Sequence, residues 1–225
     1  MICKYRAGMT GNRDLSKALT LLGGGASDPA DLAESLARAP GLVALDGGAD
    51  VALAAGHTPA LTIGDMDSIS GTALAALPPD SVIRVDEQDT TDFEKGLSRV
   101  SAPLILGVGF TGGRHDHMLA ALSVLVRLRP PCVLLGGEDV IFAAPRRVML
   151  DLAPGTRVSL FPLAPVTGRS RGLEWPIDGL TLSPVGRVGT SNRALGPVEL
   201  SFDGPGPIVL LPRSCLDQAI AAVTA

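Results

Sequence analysis

Aromatic residues are scarce in this chain. One Trp, one Tyr and five Phe make up 3% of its 225 residues. A core must therefore be filled by Val, Leu, Ile and Ala, within an apolar content of 46%. Cysteine is equally sparse: Cys3, Cys132 and Cys215 are odd in number, far apart and form no C-x-x-C pair. This argues against a disulfide scaffold or a structural zinc site and fits a reducing, cytoplasmic setting. No apolar run approaches the roughly 18 residues of a membrane span. Residues 1–17 carry Lys4, Arg6, Arg13 and Asp14 without an apolar stretch, so they are no secretory signal and are expected to form a flexible tail. An excess of basic charge is also missing. The formal net charge is −4, which argues against a general nucleic-acid binder. Neither a nucleic acid nor a membrane is an expected partner.

What is present falls into two textures. From residue 18 to about 145, short apolar runs alternate with helical patterns. The runs are residues 19–22, 42–45, 61–63, 82–85, 104–108 and 132–135, each apolar as strands covered on both faces are. Residues 31–39, 49–55, 92–100 and 118–127 read as helices, with Leu119, Leu122, Leu125 and Val126 forming one stripe. Strand then helix, repeated, predicts a parallel α/β sheet. From residue 146 onward, Gly and Pro become dense and period-two alternation appears at residues 157–162 and 198–202. That half reads as an antiparallel β-sandwich. A final helix is expected over residues 214–225, with Leu216, Ile220 and Val223 on one face. The expected fold is thus an N-terminal parallel α/β domain, 18–145, followed by a C-terminal sandwich domain, 146–225.

The acids are concentrated at strand ends, where open α/β sheets bind ligands. The second run ends in Asp46-Gly47-Gly48, and the two glycines allow positive φ or close approach to a ligand. A helix starting at Ala49 would offer free N–H groups to an anion, although an Asp cap on a flexible turn fits the same residues. The third run ends in Asp65-Met66-Asp67-Ser68. In an extended segment, residues two apart point to one side, so Asp65 and Asp67 can share one Mg²⁺. A turn with Asp67 or Ser68 capping the next helix is the plainer alternative. The fourth run leads into Asp86, Glu87, Gln88, Asp89, Thr90, Thr91 and Asp92. Thr91 with Glu94 matches a capping box, and Lys95 lies one turn beyond Asp92 as a pairing partner. Capping does not explain the crowd of acids. Two like charges about 4 Å apart cost roughly 4 kcal/mol at an effective dielectric near 20, so converging strand ends require cations.

The fifth run leads into Gly112-Gly113-Arg114-His115-Asp116-His117. Glycines suit a tight loop against a ligand, Arg114 offers a fork of donors to phosphate oxygens, and His117 can bond to or stack on a nucleotide. An ordinary loop with Asp116 as helix cap is the alternative. A G-x-x-x-x-G-K-[ST] loop and a G-x-G-x-x-G fingerprint are both missing, which excludes the common nucleotide-binding loops.

Taken in order, these pieces resemble the thiamine pyrophosphokinase family. The matching segments are Asp46-Gly47-Gly48-Ala49, Gly64-Asp65-x-Asp67-Ser68, Asp89-x-Thr91-Asp92-Phe93-x-Lys95 and Gly112-Gly113-Arg114-x-Asp116-His117. Gly172-Leu173-x-Trp175 and Ser191-Asn192 continue the match. The resemblance implies transfer of pyrophosphate from ATP to thiamine, giving thiamine diphosphate and AMP. It implies a homodimer with active sites at the subunit interface. Asp65, Asp67 and Asp92 would be the magnesium and catalytic carboxylates. Asp46, Gly47, Gly48, Gly112, Gly113, Arg114, Asp116 and His117 would face ATP. Gln88, Thr91, Trp175, Ser191 and Asn192 would face thiamine. Arg193, where many bacterial members have an acid, and Pro176 after Trp175 depart from the pattern. A metal-dependent phosphohydrolase and a catalytically silent nucleotide sensor are the rival readings.

Overall fold

The computed structural model describes residues 17–225. The expected flexible tail lies outside the described residues except for Lys17. The described residues form two compact units, one of residues 17–121 and 134–137, the other of residues 122–133 and 138–225.

The first unit alternates strand and helix. Its elements are β1 (Leu19–Leu22), α1 (Pro29–Arg38), β2 (Gly41–Leu45), α2 (Gly48–Ala54), β3 (Leu61–Gly64), α3 (Gly71–Ala76), β4 (Val82–Arg84), α4 (Asp92–Leu97), β5 (Ile105–Val108), the start of α5 (His115–Leu128) and most of β6 (Cys132–Gly136). The strand order is β6-β5-β1-β2-β3-β4. β1 pairs in parallel with β2 and β5, β2 with β3, and β3 with β4. Leu19, Leu21 and Leu22 of β1 are completely buried, as a strand covered on both faces must be. Even Thr20 is buried, and its hydroxyl donates to the Ala39 carbonyl at 2.7 Å. The chain moves outward in one direction through β2, β3 and β4, then returns to the other side of β1 with β5. The switch in strand order between β1 and β5 opens a crevice at the strand carboxyl ends.

Local chemistry sets the helix starts. Asp28 caps α1, accepting from the Ala30 amide at 2.8 Å, with Pro29 in the first turn. Ser70 caps α3 by accepting from the Ala73 amide at 3.0 Å. The alternative reading of Asp67 or Ser68 as a helix cap therefore does not hold: Ser70, which follows the acidic turn, is the cap. Helix α3 itself was not foreseen, because its run Gly71–Ala76 is too short to show a stripe. α5 starts at His115, three residues before the expected start, and Leu119 of its expected stripe is 57% exposed. Ala121 and Val124 are buried instead, beside Leu122 and Leu125.

The second unit contains the rest of α5, then β7 (Asp139–Ala143), β8 (Arg147–Leu150), β9 (Arg157–Phe161), β10 (Val166–Leu173), β11 (Thr181–Leu182), β12 (Gly189–Phe202), β13 (Ile208–Pro212) and α6 (Leu216–Thr224). Its pairings are antiparallel: β13 with β7 and β9, and β12 with β8, β9 and β10. The 14-residue β12 changes partners along its length. Near Asn192 it pairs with β9, and from Ala194 to Phe202 with β10, joined by β8 near its end. Val198, Leu200 and Phe202 are buried, as their alternation predicts. The β10 bulge at Gly172 (φ 78°) is required, since a Cβ there would sit 2.1 Å from the Pro197 carbonyl oxygen. α6 buries Leu216, Ala219 and Ala222, with Ile220 and Val223 only partly covered. The buried face is thus Leu216, Ala219 and Ala222 in place of the expected Leu216, Ile220 and Val223.

Candidate active site

The carboxyl ends of β2 and β3 bring three acids together. One carboxylate oxygen from each of Asp46, Asp65 and Asp67 lies within 4.8 Å of the others. Asp46 follows β2 directly and adopts φ 44°, a conformation expected of the glycines after it. Gly47 is instead in ordinary helical geometry, with φ −55°. Gly48 serves close packing, because a Cβ would lie 2.1 Å from the Leu22 carbonyl oxygen. Gly64 makes room for Asp46 in the same way: a Cβ there would meet the Asp46 Cβ at 2.9 Å. Asp46 is 1% exposed. Its Oδ1 accepts from the Ser68 amide at 3.2 Å, while no donor among the described residues reaches its buried Oδ2.

Asp65 and Asp67 converge, but not along an extended strand. Met66 between them adopts φ 69°, so the chain turns after β3 and the Asp67 amide comes 3.4 Å from Asp65 Oδ1. Asp65 Oδ2 accepts from Lys95 Nζ at 3.1 Å and Gln88 Nε2 at 3.0 Å. Asp67 Oδ1 accepts from the Ser68 hydroxyl at 2.8 Å.

These contacts separate the acids electrostatically. Burial pushes Asp46 up to about 6, helped by a proton shared with Asp65 and by the charges of Asp92 and Asp65, against the Ser68 amide. The Lys95 hydrogen bond holds Asp65 well below the usual carboxylate range, and Gln88 and Asp46 add to this. Burial would lower Lys95, yet Asp65, Asp92 and Glu87 outweigh it and raise it. Burial also raises Asp92, while Lys95 opposes the shift. The surroundings thus push Asp46 and Asp65 in opposite directions within one centre.

The third acidic loop contributes less than its composition suggests. Thr91 caps α4, 3.4 Å from the Glu94 amide, and Phe93, Leu97 and Val100 are buried. Asp92, in the first turn of α4, lies 3.6 Å from Lys95 Nζ and is not one of the three clustered acids. Glu87 accepts from the Asp89 and Thr90 amides and thereby shapes its own loop. Asp86 lies 3.9 Å from the Arg84 guanidinium on the surface. Gln88, expected to face thiamine, is bonded to Asp65.

The glycine loops after β1 and β5 meet at the crevice. A Cβ on Gly25 would lie 2.4 Å from the Gly109 carbonyl oxygen, and one on Gly112 would lie 2.1 Å from that of Ala26. Gly113 adopts φ 83°. The next residue, Arg114, pairs with Asp116, its Nε 3.1 Å from Asp116 Oδ1. That pairing holds the Asp116 carboxyl down to about 2. Arg114, Asp116 and His117 are all exposed at the start of α5.

In the second unit, Trp175 is 54% exposed, which excludes a core role. Its backbone is held by Asn192, whose Oδ1 accepts from the Trp175 amide at 3.2 Å and whose Nδ2 donates to the Trp175 carbonyl at 2.7 Å. Asn192 is 6% exposed, and Ser191 beside it adopts φ 60° and donates its amide to Ser159 Oγ at 3.0 Å. Arg193 pairs with Glu174 at 3.3 Å, which accounts locally for the departure at this position. Two contributions escaped the sequence reading. Asp46 belongs with the clustered acids, and Lys95 reaches Asp65 across 30 residues of chain. The vacancy at Gly64 opposite Asp46 shows only in the folded chain.

Clustered carboxylates at the carboxyl ends of parallel strands, next to a glycine-lined switch point, define an α/β protein with a site suited to a cation and phosphates. Residues 32–134 match the family described as "Thiamin pyrophosphokinase, catalytic domain", and residues 147–205 match "Thiamin pyrophosphokinase, vitamin B1 binding domain". Thiamine pyrophosphokinase 1 of Oryza sativa subsp. japonica is 29% identical over 156 residues, covering 60% of this chain and 59% of the rice protein. Thiamine pyrophosphokinase 3 of the same plant is 30% identical over 157 residues, covering 60% and 58%. The chain therefore spans less than two thirds of the length of these relatives. Among solved structures, thiamin pyrophosphokinase from Candida albicans superposes with a TM-score of 0.74 at 18% identity, over 88% of this chain and 90% of that one. Yeast thiamin pyrophosphokinase gives 0.74 at 19% identity, over 93% and 90%. These two likenesses establish the fold, a mixed α/β arrangement with parallel strands. The chain belongs to the thiamin pyrophosphokinase family.

Proposed function

We propose that this protein is a thiamine pyrophosphokinase that transfers the pyrophosphate of ATP to the hydroxyl of thiamine, giving thiamine diphosphate and AMP. Family membership supports the reaction, and the meeting of Asp46, Asp65 and Asp67 carries the assignment to this site. The donor set fits Mg²⁺: hard carboxylate oxygens, one of them the buried Asp46 Oδ2, which has no donor among the described residues. Asp65 and Asp67 would hold the ion with Asp46. When bound, Mg²⁺ would offset charge on the phosphate oxygens. The thiamine oxygen attacks the β-phosphorus, the bond to the α-phosphate oxygen breaks, and AMP leaves. Asp92, outside the three-acid cluster and raised by burial, accepts the hydroxyl proton. Positioning and electrostatics supply most of the catalysis, as in phosphoryl transfer generally.

The glycines at 47, 48, 112 and 113, with Arg114, Asp116 and His117, form the ATP side. Arg114 exchanges its Asp116 contact for phosphate oxygens. Gln88, Thr91, Trp175, Ser191 and Asn192 form the thiamine side. The working division is an ATP domain of residues 18–145 and a thiamine-binding β-sandwich of residues 146–225, in a cytoplasmic homodimer. Incubation with ATP, Mg²⁺ and thiamine, followed by chromatography of the nucleotides, tests the reading. AMP formed only with thiamine is the expected result. ADP would indicate an ordinary kinase, thiamine-independent turnover a phosphohydrolase, and no turnover a nucleotide sensor.

A further inference from the structure

Lys95 lies within the acidic centre, yet the proposed chemistry gives it no task. Its position is unusual for a lysine. It lies in the short α4, yet its side chain is 2% exposed, whereas lysines are almost never fully buried unless paired. Nζ is 3.1 Å from Asp65 Oδ2 and 3.6 Å from Asp92 Oδ1. Gln88 donates to the same Asp65 Oδ2 at 3.0 Å. That oxygen is thus filled by two protein donors, and Asp65 Oδ1, with only the Asp67 amide at 3.4 Å, is the atom better placed to face a cation with Asp46 and Asp67. The Lys95 backbone is tied down too, its carbonyl accepting from Ser98 Oγ at 3.1 Å and Arg99 Nη1 at 3.0 Å.

We infer that Lys95 is a positioning residue, a fixed internal cation that orients Asp65 and Asp92 and limits how strongly the centre attracts a divalent ion. A structural brace would use the ion pair only to hold α4 against β3. A fixed cation does something further. It cancels part of the carboxylate charge, turns Asp65 so that one oxygen is presented, and separates Asp92 from the three clustered acids. Removing the charge leaves a more negative but less ordered centre, so metal affinity and turnover move in opposite directions. The link to turnover rests on the proposed function, whereas the effect on metal affinity does not.

The test is calorimetric titration of the metal-free protein with Mn²⁺ alone, alongside assay of thiamine diphosphate formation. Lys95→Met should bind Mn²⁺ about tenfold more tightly, since a like charge near the ion is lost. Its kcat should fall about a hundredfold at every metal concentration. Lys95→Arg keeps the charge and should keep native Mn²⁺ affinity within about twofold. Lys95→Gln, which retains a donor to Asp65, should show the same tightening and serves if the Met variant does not fold. Unchanged or weaker Mn²⁺ binding in folded Met or Gln variants, with only thermal stability reduced, would make Lys95 a brace and overturn the inference. Tighter Mn²⁺ binding by the Lys95 variants, where the unsubstituted protein itself forms no thiamine diphosphate, would support the inference and reject the proposed function.

Discussion

Asp46 is where burial, charge and chemistry conflict most strongly. Its carboxyl is raised to about 6, chiefly by burial, from an ordinary value of 3.8. The folded state therefore holds the proton more tightly than the unfolded state. Its contribution to stability is full below about pH 4 and is lost as pH rises through about 6. Asn at this position imitates the protonated acid: it can donate to Asp65 and still accept from the Ser68 amide. Asp46→Asn should therefore stabilise the metal-free protein at pH 8, by at most about 3 kcal/mol, and hardly at pH 4. Urea unfolding with a chelator at both values is the check, and an equal effect at both would refute the assignment. The same variant should bind Mg²⁺ more weakly. For Asp67→Asn and Asp92→Asn, turnover should fall about a hundredfold or more with the fold retained. Near-normal rates in both at saturating Mg²⁺ would remove the centre from catalysis. Trp175, half exposed and anchored by Asn192, is suited to stack on a cationic aromatic ligand. Trp175→Ala should weaken thiamine binding about tenfold while leaving unfolding nearly unchanged. A loss of about 3–5 kcal/mol in stability would instead mark a packing role.

At the scale of elements, legibility depended on length and on how local the cause was. β1, β2, β3 and β5 were readable because each is a continuous apolar run. α4 was readable because Thr91 and the Phe93, Leu97, Val100 stripe are local signals. β7, β8, β10 and β13 were not resolved individually, since antiparallel strands between frequent turns look alike until their partners are known. The convergence of Asp65 and Asp67 was foreseen but through the wrong backbone, because a left-handed Met66 has no sequence signal. The role of glycines was also mixed. Several serve packing between loops, a cause that spacing along the chain cannot reveal. Gly48→Ala should cost about 1–3 kcal/mol, because its Cβ would press on the Leu22 carbonyl. Gly71→Ala, with nothing within 4 Å and ordinary φ at the start of α3, should be neutral or stabilising by up to about 1 kcal/mol. Equal destabilisation by both in thermal melts would show that glycine content, and not close approach, governs these loops.

At the scale of the molecule, the antiparallel unit leaves apolar surface and a strand edge in view. β8 pairs only with β12 among the described strands, and its Met149 is 72% exposed. Leu195 on β12 is 61% exposed. An edge of this kind invites pairing, and isolated proteins usually blunt it with lysine, proline or a covering segment. Arg147 supplies some protection on β8, but Met149 two residues on, pointing the same way, does not. Together with the family resemblance, this leads us to expect a homodimer formed through the antiparallel unit. Sedimentation at micromolar concentration should give about twice the chain mass of 23.0 kDa. Met149→Lys places a charge on the exposed edge without touching the core, so it should shift the equilibrium towards monomer while leaving the far-ultraviolet circular dichroism unchanged. A dimer insensitive to Met149→Lys would locate the interface elsewhere. A native protein that sediments as a monomer and forms thiamine diphosphate at full rate would show that one chain suffices, and that the exposed edge is tolerated without a partner.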